Sequence, residues 1–247
     1  MSSHFSTSIA SPSDKSLSIR PVVLLTPDFA SDATNPTEAV YIIRANYCSA
    51  IAEAGGIPLI LPYDGLDITA ILAVCDGVVI TGSRPGVAVA SEREVFEAAL
   101  IEATMRAHIP IMGICHGMQL LGRTLGGHVV SEVPGDDQTP PRHMPFGVPK
   151  VAAHYISIME ESSLAPLAPS PDLEVNSFHL HRLEGPGHFR VVAMAEDGVI
   201  EAIEGDTPEL SLGVQWHPEY QLRPLDRKIF EMFTARCAER ARATKAA

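Results

Sequence analysis

Cysteine is scarce in this chain, and its few residues are far apart. They are Cys48, Cys75, Cys115 and Cys237, and no two of them form a C-x-x-C pair. This spacing argues against a structural zinc knot built on cysteines. Scattered cysteines in a chain of 247 residues indicate reduced thiols rather than a disulfide framework. We therefore expect a cytoplasmic protein.

Long apolar runs and an excess of basic charge are also missing. No stretch approaches the length of a transmembrane helix, and the Ser-rich residues 1–19 lack the apolar core of a secretory signal, so we expect a flexible N-terminal arm there. Lys and Arg number 18 against 30 Asp and Glu, which gives a net charge of −12. No basic block is present to follow a phosphate backbone. We expect neither nucleic acid nor a membrane as a partner.

The sequence does contain an alternation of short apolar runs with helical patterns. Strands separated by helices indicate βαβ units and a parallel sheet covered by helices. In the first half, strand patterns lie at 20–25, 57–61, 77–80 and 109–114, and helical patterns at 38–54, 68–74, 91–108 and 117–125. The second half carries strand patterns at 151–159, 173–175, 190–195, 199–204 and 210–216 and a closing helix at 226–243. We predict one α/β domain over 20–247, with a long Pro-rich loop at 131–150.

The most informative motif is Gly113-Ile-Cys115-His-Gly117, which lies between an apolar strand pattern and a helical pattern. A strand–turn–helix corner of this kind raises one side chain at the N-terminus of a helix, and glycines on both sides leave room for the turn and for a substrate. The positive field of the helix end favours a thiolate. Cys115 is therefore the predicted nucleophile.

A nucleophilic cysteine needs a base, a group that orients the base, and donors for the oxyanion. An apolar strand pattern ends at His217-Pro218-Glu219, so His217 and Glu219 are the predicted base and orienting carboxylate. Ligands bind at the carboxyl ends of parallel strands, where Cys115 also emerges. We predict that the backbone N–H of His116 is one oxyanion donor and that Gly82 or Ser83 supplies the other.

These residues together form a known pattern. The chain resembles the class I glutamine amidotransferase superfamily in two segments, Gly113-Ile-Cys115-His-Gly117-Met-Gln119 and Trp216-His217-Pro218-Glu219. Four further segments are similar to its γ-glutamyl-γ-aminobutyrate hydrolase branch, the peptidase C26 group: Ala54-Gly-Gly-Ile-Pro-Leu-Ile-Leu-Pro62, Ile80-Thr-Gly-Ser83, Val175-Asn-Ser-Phe-His179 and Asp197-Gly-Val-Ile-Glu-Ala-Ile-Glu204. The match spans roughly residues 20 to 233.

The resemblance implies a three-layer α/β/α fold, flavodoxin-like, with a central mostly parallel sheet and a few antiparallel strands in the C-terminal half. It also implies a triad of Cys115, His217 and Glu219 that hydrolyses γ-glutamyl amides through a thioester, with a small γ-glutamyl amide as substrate and no cofactor. The implied contacts to the glutamyl end are Gln119 and the backbone of Asn176, Ser177 and Phe178, and we expect His179 to shape the pocket. The branch usually has Arg after the nucleophile, where this chain has His116.

The remaining histidines raise the question of a metal site, at His179 and His181 with His143 or His154. No carboxylate pattern completes it, so no metal is expected. Glu201 and Glu204 lie in an alternating strand pattern and are expected on a solvated face.

Three functions stay open from the sequence. The first is a stand-alone hydrolase of γ-glutamyl amides, of the γ-glutamyl-γ-aminobutyrate or γ-glutamyl-polyamine type, serving amine or polyamine catabolism. The second is a glutaminase subunit that delivers ammonia to a partner synthase. The third is a catalytically silent binding homologue. The oligomeric state also stays open, a homodimer being one candidate.

Overall fold

The computed structural model of this chain describes residues 19–31, 38–63, 67–83, 88–131, 143–144 and 149–246. All of the predicted arm except its last residue, and most of the loop predicted at 131–150, lie outside this part. No helix of the described part is long and apolar enough to cross a membrane. The four cysteines are free thiols.

Strands make up the larger share of the elements. In chain order they are β1 (Val22–Leu25), β2 (Asp28–Ser31), β3 (Ala39–Ile42), β4 (Ile57–Ile60), β5 (Gly77–Ile80), β6 (Ile111–Ile114), β7 (His128–Ser131), β8 (His154–Ile158), β9 (Asp172–Val175), β10 (His181–Glu184), β11 (Phe189–Ala195), β12 (Ile200–Gly205) and β13 (Ser211–Val214). The helices are α1 (Ala45–Glu53), α2 (Ile68–Leu72), α3 (Ser91–Arg106), α4 (His116–Thr124) and α5 (Pro224–Ala246).

One large sheet organises the fold, in the strand order β4-β1-β5-β6-β13-β12-β11-β8-β9. The first five strands in this order are mutually parallel. The remaining four are added antiparallel, and all of them come from the second half of the chain. The predicted α/β class, with a mostly parallel central sheet and a few antiparallel strands from the C-terminal half, is confirmed. A separate antiparallel pair, β2 and β3, lies in the first half of the chain.

Alternate residues of the parallel strands point to opposite faces of the sheet, as the pleat requires. Val23 and Leu25 pack in a cluster with residues of α1 and α5. Leu24 packs in a second cluster with residues of α2, α3 and α4. The helices therefore cover both faces, which gives the three layers.

For the helix predicted over 38–54, the predicted start is wrong. Residues Ala39–Ile42 form strand β3, which pairs with β2, and the helix begins only at Ala45. The pairing is favoured because Tyr41 packs against Phe29 and Tyr63, with ring centroids 5.4 and 5.2 Å apart. The apolar spacing of this segment fits a helix equally well, and the contacts of Tyr41 with Phe29 and Tyr63 favour the strand.

The sheet also determines where the functional residues meet. Strands β5, β6 and β13 are neighbours and run parallel, with Gly113 aligned between Ile80 and Gly213. Their carboxyl ends therefore lie at one edge. Gly82 follows β5, Cys115 follows β6, and His217 follows β13.

Candidate active site

Cys115 lies at a strained corner between β6 and α4. Its backbone has φ 53° and ψ −105°, a conformation that costs a non-glycine residue free energy. The Cys115 N–H donates to the Val214 carbonyl at 2.8 Å, and the Cys115 carbonyl accepts from the Gln119 N–H at 3.1 Å, the first bond of the helix. Cys115 is only 5% exposed and stands at the N-terminus of α4.

The glycines on either side of Cys115 are required by close packing. A Cβ added at Gly113 would lie 2.4 Å from the Gly117 carbonyl oxygen, and a Cβ added at Gly117 would lie 2.1 Å from the Ile80 carbonyl oxygen. Neither glycine has a positive φ. Their absent side chains let the start of α4 press against β5 and β6, and the turn itself is made by Cys115.

His217 and Glu219 are held together beside Cys115. The short 3₁₀ turn at Pro218–Tyr220 brings Glu219 back toward the imidazole, and His217 Nδ1 donates to Glu219 Oε1 at 2.8 Å. Both residues are 2% exposed. Nε2 makes no well-formed hydrogen bond, although the ring interacts with the Cys115 sulfur. Catalytic hydrogen bonds are commonly loose before substrate binds.

The electrostatics of this group favour an imidazolium. Burial alone would lower the pKa of His217, but the charges of Glu219 and Cys115 raise it to about 10. The pair therefore holds a proton on His217, which a leaving amine needs.

Asn176 fixes the backbone of His217. Its Oδ1 accepts from the His217 N–H at 2.8 Å, and its Nδ2 donates to the His217 carbonyl at 2.9 Å. Asn176 is 2% exposed and does not line the cavity in front of Cys115. Its side chain therefore holds the His217 backbone, and the expected contact of the Asn176 backbone with a substrate stays a prediction.

Of the predicted oxyanion donors, the Gly82 N–H already has a hydrogen-bond partner. It donates to the Tyr47 hydroxyl at 3.1 Å. The missing side chain of Gly82 lets His217 and Cys115 pack closely, because a Cβ there would lie 3.1 Å from His217 Cε1 and 3.5 Å from Cys115 Cβ. Ser83 and His116 line the same cavity as Cys115, and the first N–H groups of a helix have no partner within it.

The cavity in front of Cys115 has a volume of about 290 Å³. Of the predicted substrate contacts, Gln119, Phe178 and His179 line it, and Ser177 does not. The Gln119 Nε2 atom donates to the His181 carbonyl at 2.9 Å and to Gln215 Oε1 at 3.0 Å, so both of its hydrogens are in use. The other lining residues are Ser83, Ala88, Val89, Glu94, Cys115, His116, Arg123, Val129, Leu180 and His181.

A buried ion network next to the start of α4 was not predicted from the sequence. Arg93 is fully buried and binds Glu97 Oε1 at 3.0 Å and Asp28 Oδ1 at 2.9 Å. His116 Nε2 lies 3.0 Å from Glu97 Oε2. Burial would raise the pKa of Glu97, but Arg93 and His116 lower it. His116, the first residue of α4, is therefore joined to Glu97 of α3.

The sequence held a signal for this network. Arg93 and Glu97 share the spacing of Leu100, Ile101 and Thr104, so they lie on the buried face of α3. Two opposite charges at i and i+4 on the apolar face of a helix indicate a buried pair.

The expected solvated face at Glu201 and Glu204 is also wrong. Glu201 is fully buried and Glu204 is 6% exposed. Glu204 pairs with Arg190 at 2.7 Å, whereas Glu201 faces His143, His154 and His179, a group that could hold a metal ion. His181, a candidate ligand from the sequence, contributes only its backbone carbonyl, which accepts from His179 Nδ1 at 3.0 Å.

Comparison with known proteins decides the family. The family model described as Peptidase C26 matches residues 21–219. The chain belongs to the peptidase C26 family. A γ-glutamyl-γ-aminobutyrate hydrolase of Escherichia coli O157:H7 is 30% identical, with 81% of this chain and 87% of that protein covered. A Rickettsia prowazekii protein described only as glutamine amidotransferase-like is 29% identical, with 81% and 92% covered.

Solved structures show the same fold. A Thermoplasma acidophilum protein provisionally assigned as part of a GMP synthase superposes with a TM-score of 0.68 at 20% identity, covering 92% of this chain and 99% of that one. The predicted family and its glutamine amidotransferase-like fold are thus confirmed. Family membership supports hydrolase chemistry for this chain.

The ion network can be tested by comparing two ion pairs of α3, one buried and one exposed. Glu97→Gln should lower the free energy of unfolding by about 3 kcal/mol, because it leaves the buried Arg93 with reduced compensation. Glu102→Gln, which breaks the exposed pair with Arg106, should cost less than about 0.5 kcal/mol. Urea unfolding at neutral pH measures both. Equal losses would show that Arg93 and Glu97 do not form a buried pair.

Proposed function

We propose that this protein hydrolyses γ-glutamyl amides through a γ-glutamyl thioester on Cys115. One observation carries the proposal. Cys115 lines a cavity at the start of a helix, directly after β6. The His217–Glu219 pair, joined by a 2.8 Å hydrogen bond, follows the neighbouring parallel strand β13. This is the arrangement that acyl transfer to sulfur needs.

In the first step the Cys115 thiolate attacks the γ-carbonyl carbon of the substrate. The backbone N–H groups of His116 and Ser83 stabilise the oxyanion that develops. When the tetrahedral intermediate collapses, the C–N bond breaks and His217 transfers its proton to the leaving nitrogen. The products are a free amine and the γ-glutamyl thioester.

In the second step water attacks the thioester carbon, and the now neutral His217 accepts a proton from that water. Collapse of the second intermediate breaks the C–S bond. Glutamate leaves, and Cys115 returns to the thiolate beside protonated His217. Glu219 keeps the imidazole in the tautomer that both steps use.

The charges at the cavity wall suit the α-amino acid end of a glutamyl group. Arg123 on α4 and Glu94 on α3 both line the cavity, with Arg123 Nη2 3.5 Å from Glu94 Oε2. A guanidinium binds a carboxylate and a carboxylate binds an ammonium. We propose that Arg123 binds the substrate α-carboxylate and that Glu94 binds its α-ammonium. The named activity of the Escherichia coli relative supports a γ-glutamyl amide as substrate.

Removal of the nucleophile tests the proposal. The wild type should release glutamate from at least one of γ-glutamyl-γ-aminobutyrate, γ-glutamylputrescine or glutamine. Cys115→Ala should lower kcat/KM by more than about 1,000-fold, since the thioester cannot form. Cys48→Ala, at a half-buried thiol of α1, is the control and should keep full activity.

The outcomes of this assay separate the open functions. Full activity of Cys115→Ala would contradict the mechanism. Turnover of glutamine only after a second protein is added would favour the glutaminase subunit. No turnover and no labelling of Cys115 by a glutamine-like electrophile would favour the silent homologue.

The pH profile tests the role of Glu219. His217, whose pKa is raised to about 10, is protonated below that pH, so activity should fall as pH rises through about 10. Glu219→Gln removes the negative charge that raises this pKa, so the alkaline limb of kcat/KM should move to lower pH. Steady-state rates from neutral pH upward measure it. An unmoved alkaline limb in the variant would exclude this role for the carboxylate.

Substrate binding is tested at Arg123. Arg123→Ala should raise KM about tenfold and change kcat less, since a charged hydrogen bond contributes about 1.5 kcal/mol or more. Arg106→Ala, at an exposed arginine of α3 that does not line the cavity, is the control and should leave KM unchanged. An unchanged KM in Arg123→Ala would rule out the proposed contact with the α-carboxylate.

A further inference from the structure

Four buried side chains form a cluster that the proposed reaction does not use as acid, base or nucleophile. They are His143, His154 at the start of β8, His179 after β9, and Glu201 in β12. Their side chains are 0, 6, 1 and 0% exposed. Each offers one ligand atom, and these four atoms all lie within 4.8 Å of one another.

Three imidazoles converge on one oxygen of the carboxylate. Glu201 Oε1 lies 3.2 Å from His143 Nδ1, 3.4 Å from His154 Nε2 and 3.6 Å from His179 Nε2. Charge-assisted hydrogen bonds between nitrogen and oxygen are shorter, about 2.7–2.9 Å. In a tetrahedral site with bonds of about 2.0–2.1 Å, two ligand atoms lie about 3.3 Å apart. The three separations from Glu201 Oε1 are closer to the spacing of ligands around one ion than to that of charge-assisted hydrogen bonds.

The outer nitrogens of the rings determine where the protons are. His143 Nε2 lies 3.0 Å from Asp197 Oδ2, His179 Nδ1 lies 3.0 Å from the His181 carbonyl, and His154 Nδ1 lies 3.2 Å from the Tyr155 carbonyl. A carboxylate or carbonyl accepts, so each outer nitrogen carries the hydrogen. In the neutral rings, each inner nitrogen then presents a lone pair toward Glu201.

With all three rings neutral, the cluster has no positive charge at its centre. Among the described residues, both oxygens of Glu201 and the Nε2 atoms of His154 and His179 are buried and make no hydrogen bond. Bringing lone pairs and a carboxylate together without a cation or donor is costly. One extra proton on His143 would satisfy one contact and leave the other two imidazoles facing the carboxylate. A divalent cation satisfies all four groups at once.

We propose that His143, His154, His179 and Glu201 bind one Zn²⁺ ion in a closed structural site. Three imidazole nitrogens and one carboxylate oxygen are a ligand set that zinc accepts in tetrahedral geometry. The outer hydrogen bonds to Asp197 and to two carbonyls are the second-sphere contacts that orient histidine ligands.

The position of the site suggests what the ion does. His179 belongs to the segment that also carries Asn176, which brackets the His217 backbone, and Phe178, whose ring lies 6.4 Å from the His217 ring. The shared ion links His179 to His143 and to Glu201 of the central sheet. This link fixes the segment against the sheet. The ion stabilises the cavity wall and takes no part in the transfer to Cys115. The inference thus stands independently of the proposed function.

The test uses untagged protein with the substitution Cys115→Ala, so that the active-site thiolate cannot bind the metal. After removal of metal by a strong chelator, Zn²⁺ is titrated in competition with a chromogenic chelator, and bound metal is measured by elemental analysis. We expect one Zn²⁺ per chain and a higher Tm with the ion than without it. Co²⁺ in the same site should give the visible bands of four-coordinate Co²⁺, with no thiolate charge-transfer band in the near ultraviolet.

Matched variants locate the site. Glu201→Gln and His154→Ala should weaken Zn²⁺ binding at least about 100-fold. Glu204→Gln changes a buried carboxylate of the same strand that pairs with Arg190, and it should keep one ion per chain and the same Co²⁺ spectrum. The metal content of the parent protein decides the proposal even where a variant fails to fold.

Three results would overturn the proposal. The first is no Zn²⁺ bound to the Cys115→Ala protein at micromolar metal. The second is a thiolate charge-transfer band, which would place the ion on another cysteine. The third is an unchanged affinity in folded Glu201→Gln.

Discussion

The close approach of α4 to strands β5 and β6 is the constraint on which the site depends. It is possible only because Gly113 and Gly117 have no side chains, since a Cβ at either would lie within 2.4 Å of a backbone oxygen. The chain must then turn sharply between them, and Cys115 takes the strained φ of 53°. The strain is offset by the packing of β6 and α4 on both sides. The result is a thiol at a helix N-terminus, directed at a cavity.

The remaining parts of the site follow from the parallel order of β5, β6 and β13. Their carboxyl ends bring Gly82, Cys115 and His217 together, and the absent side chain of Gly82 allows the other two to approach. Buried polar groups beneath this edge hold it in place. Asn176 brackets the His217 backbone, and Glu97 joins His116 to Arg93. Such groups are stable in the interior only while every partner is present.

The local sequence pattern predicted much of the site, but it did not predict the features that depend on residues distant in the chain. The ends of the strands before Cys115 and His217 can be recognised in the sequence, because glycine and proline interrupt the apolar runs there. Strand β3 was predicted as helix because its aromatic partners Phe29 and Tyr63 are not adjacent in sequence. Glu201 was assigned to a solvated face because alternation shows two faces of a strand but not what covers each of them. Its three histidine neighbours come from three other segments of the chain.

The central claim is that Cys115 carries the glutamyl group during turnover. The most direct measurement is mass spectrometry of protein quenched with acid during reaction with γ-glutamyl-p-nitroanilide, whose good leaving group should let the acyl-enzyme accumulate. The account predicts one glutamyl group on the peptide that contains Cys115, removable by hydroxylamine and absent in Cys115→Ala. Turnover of the anilide with the glutamyl group on another residue, or undiminished turnover in Cys115→Ala, would contradict it.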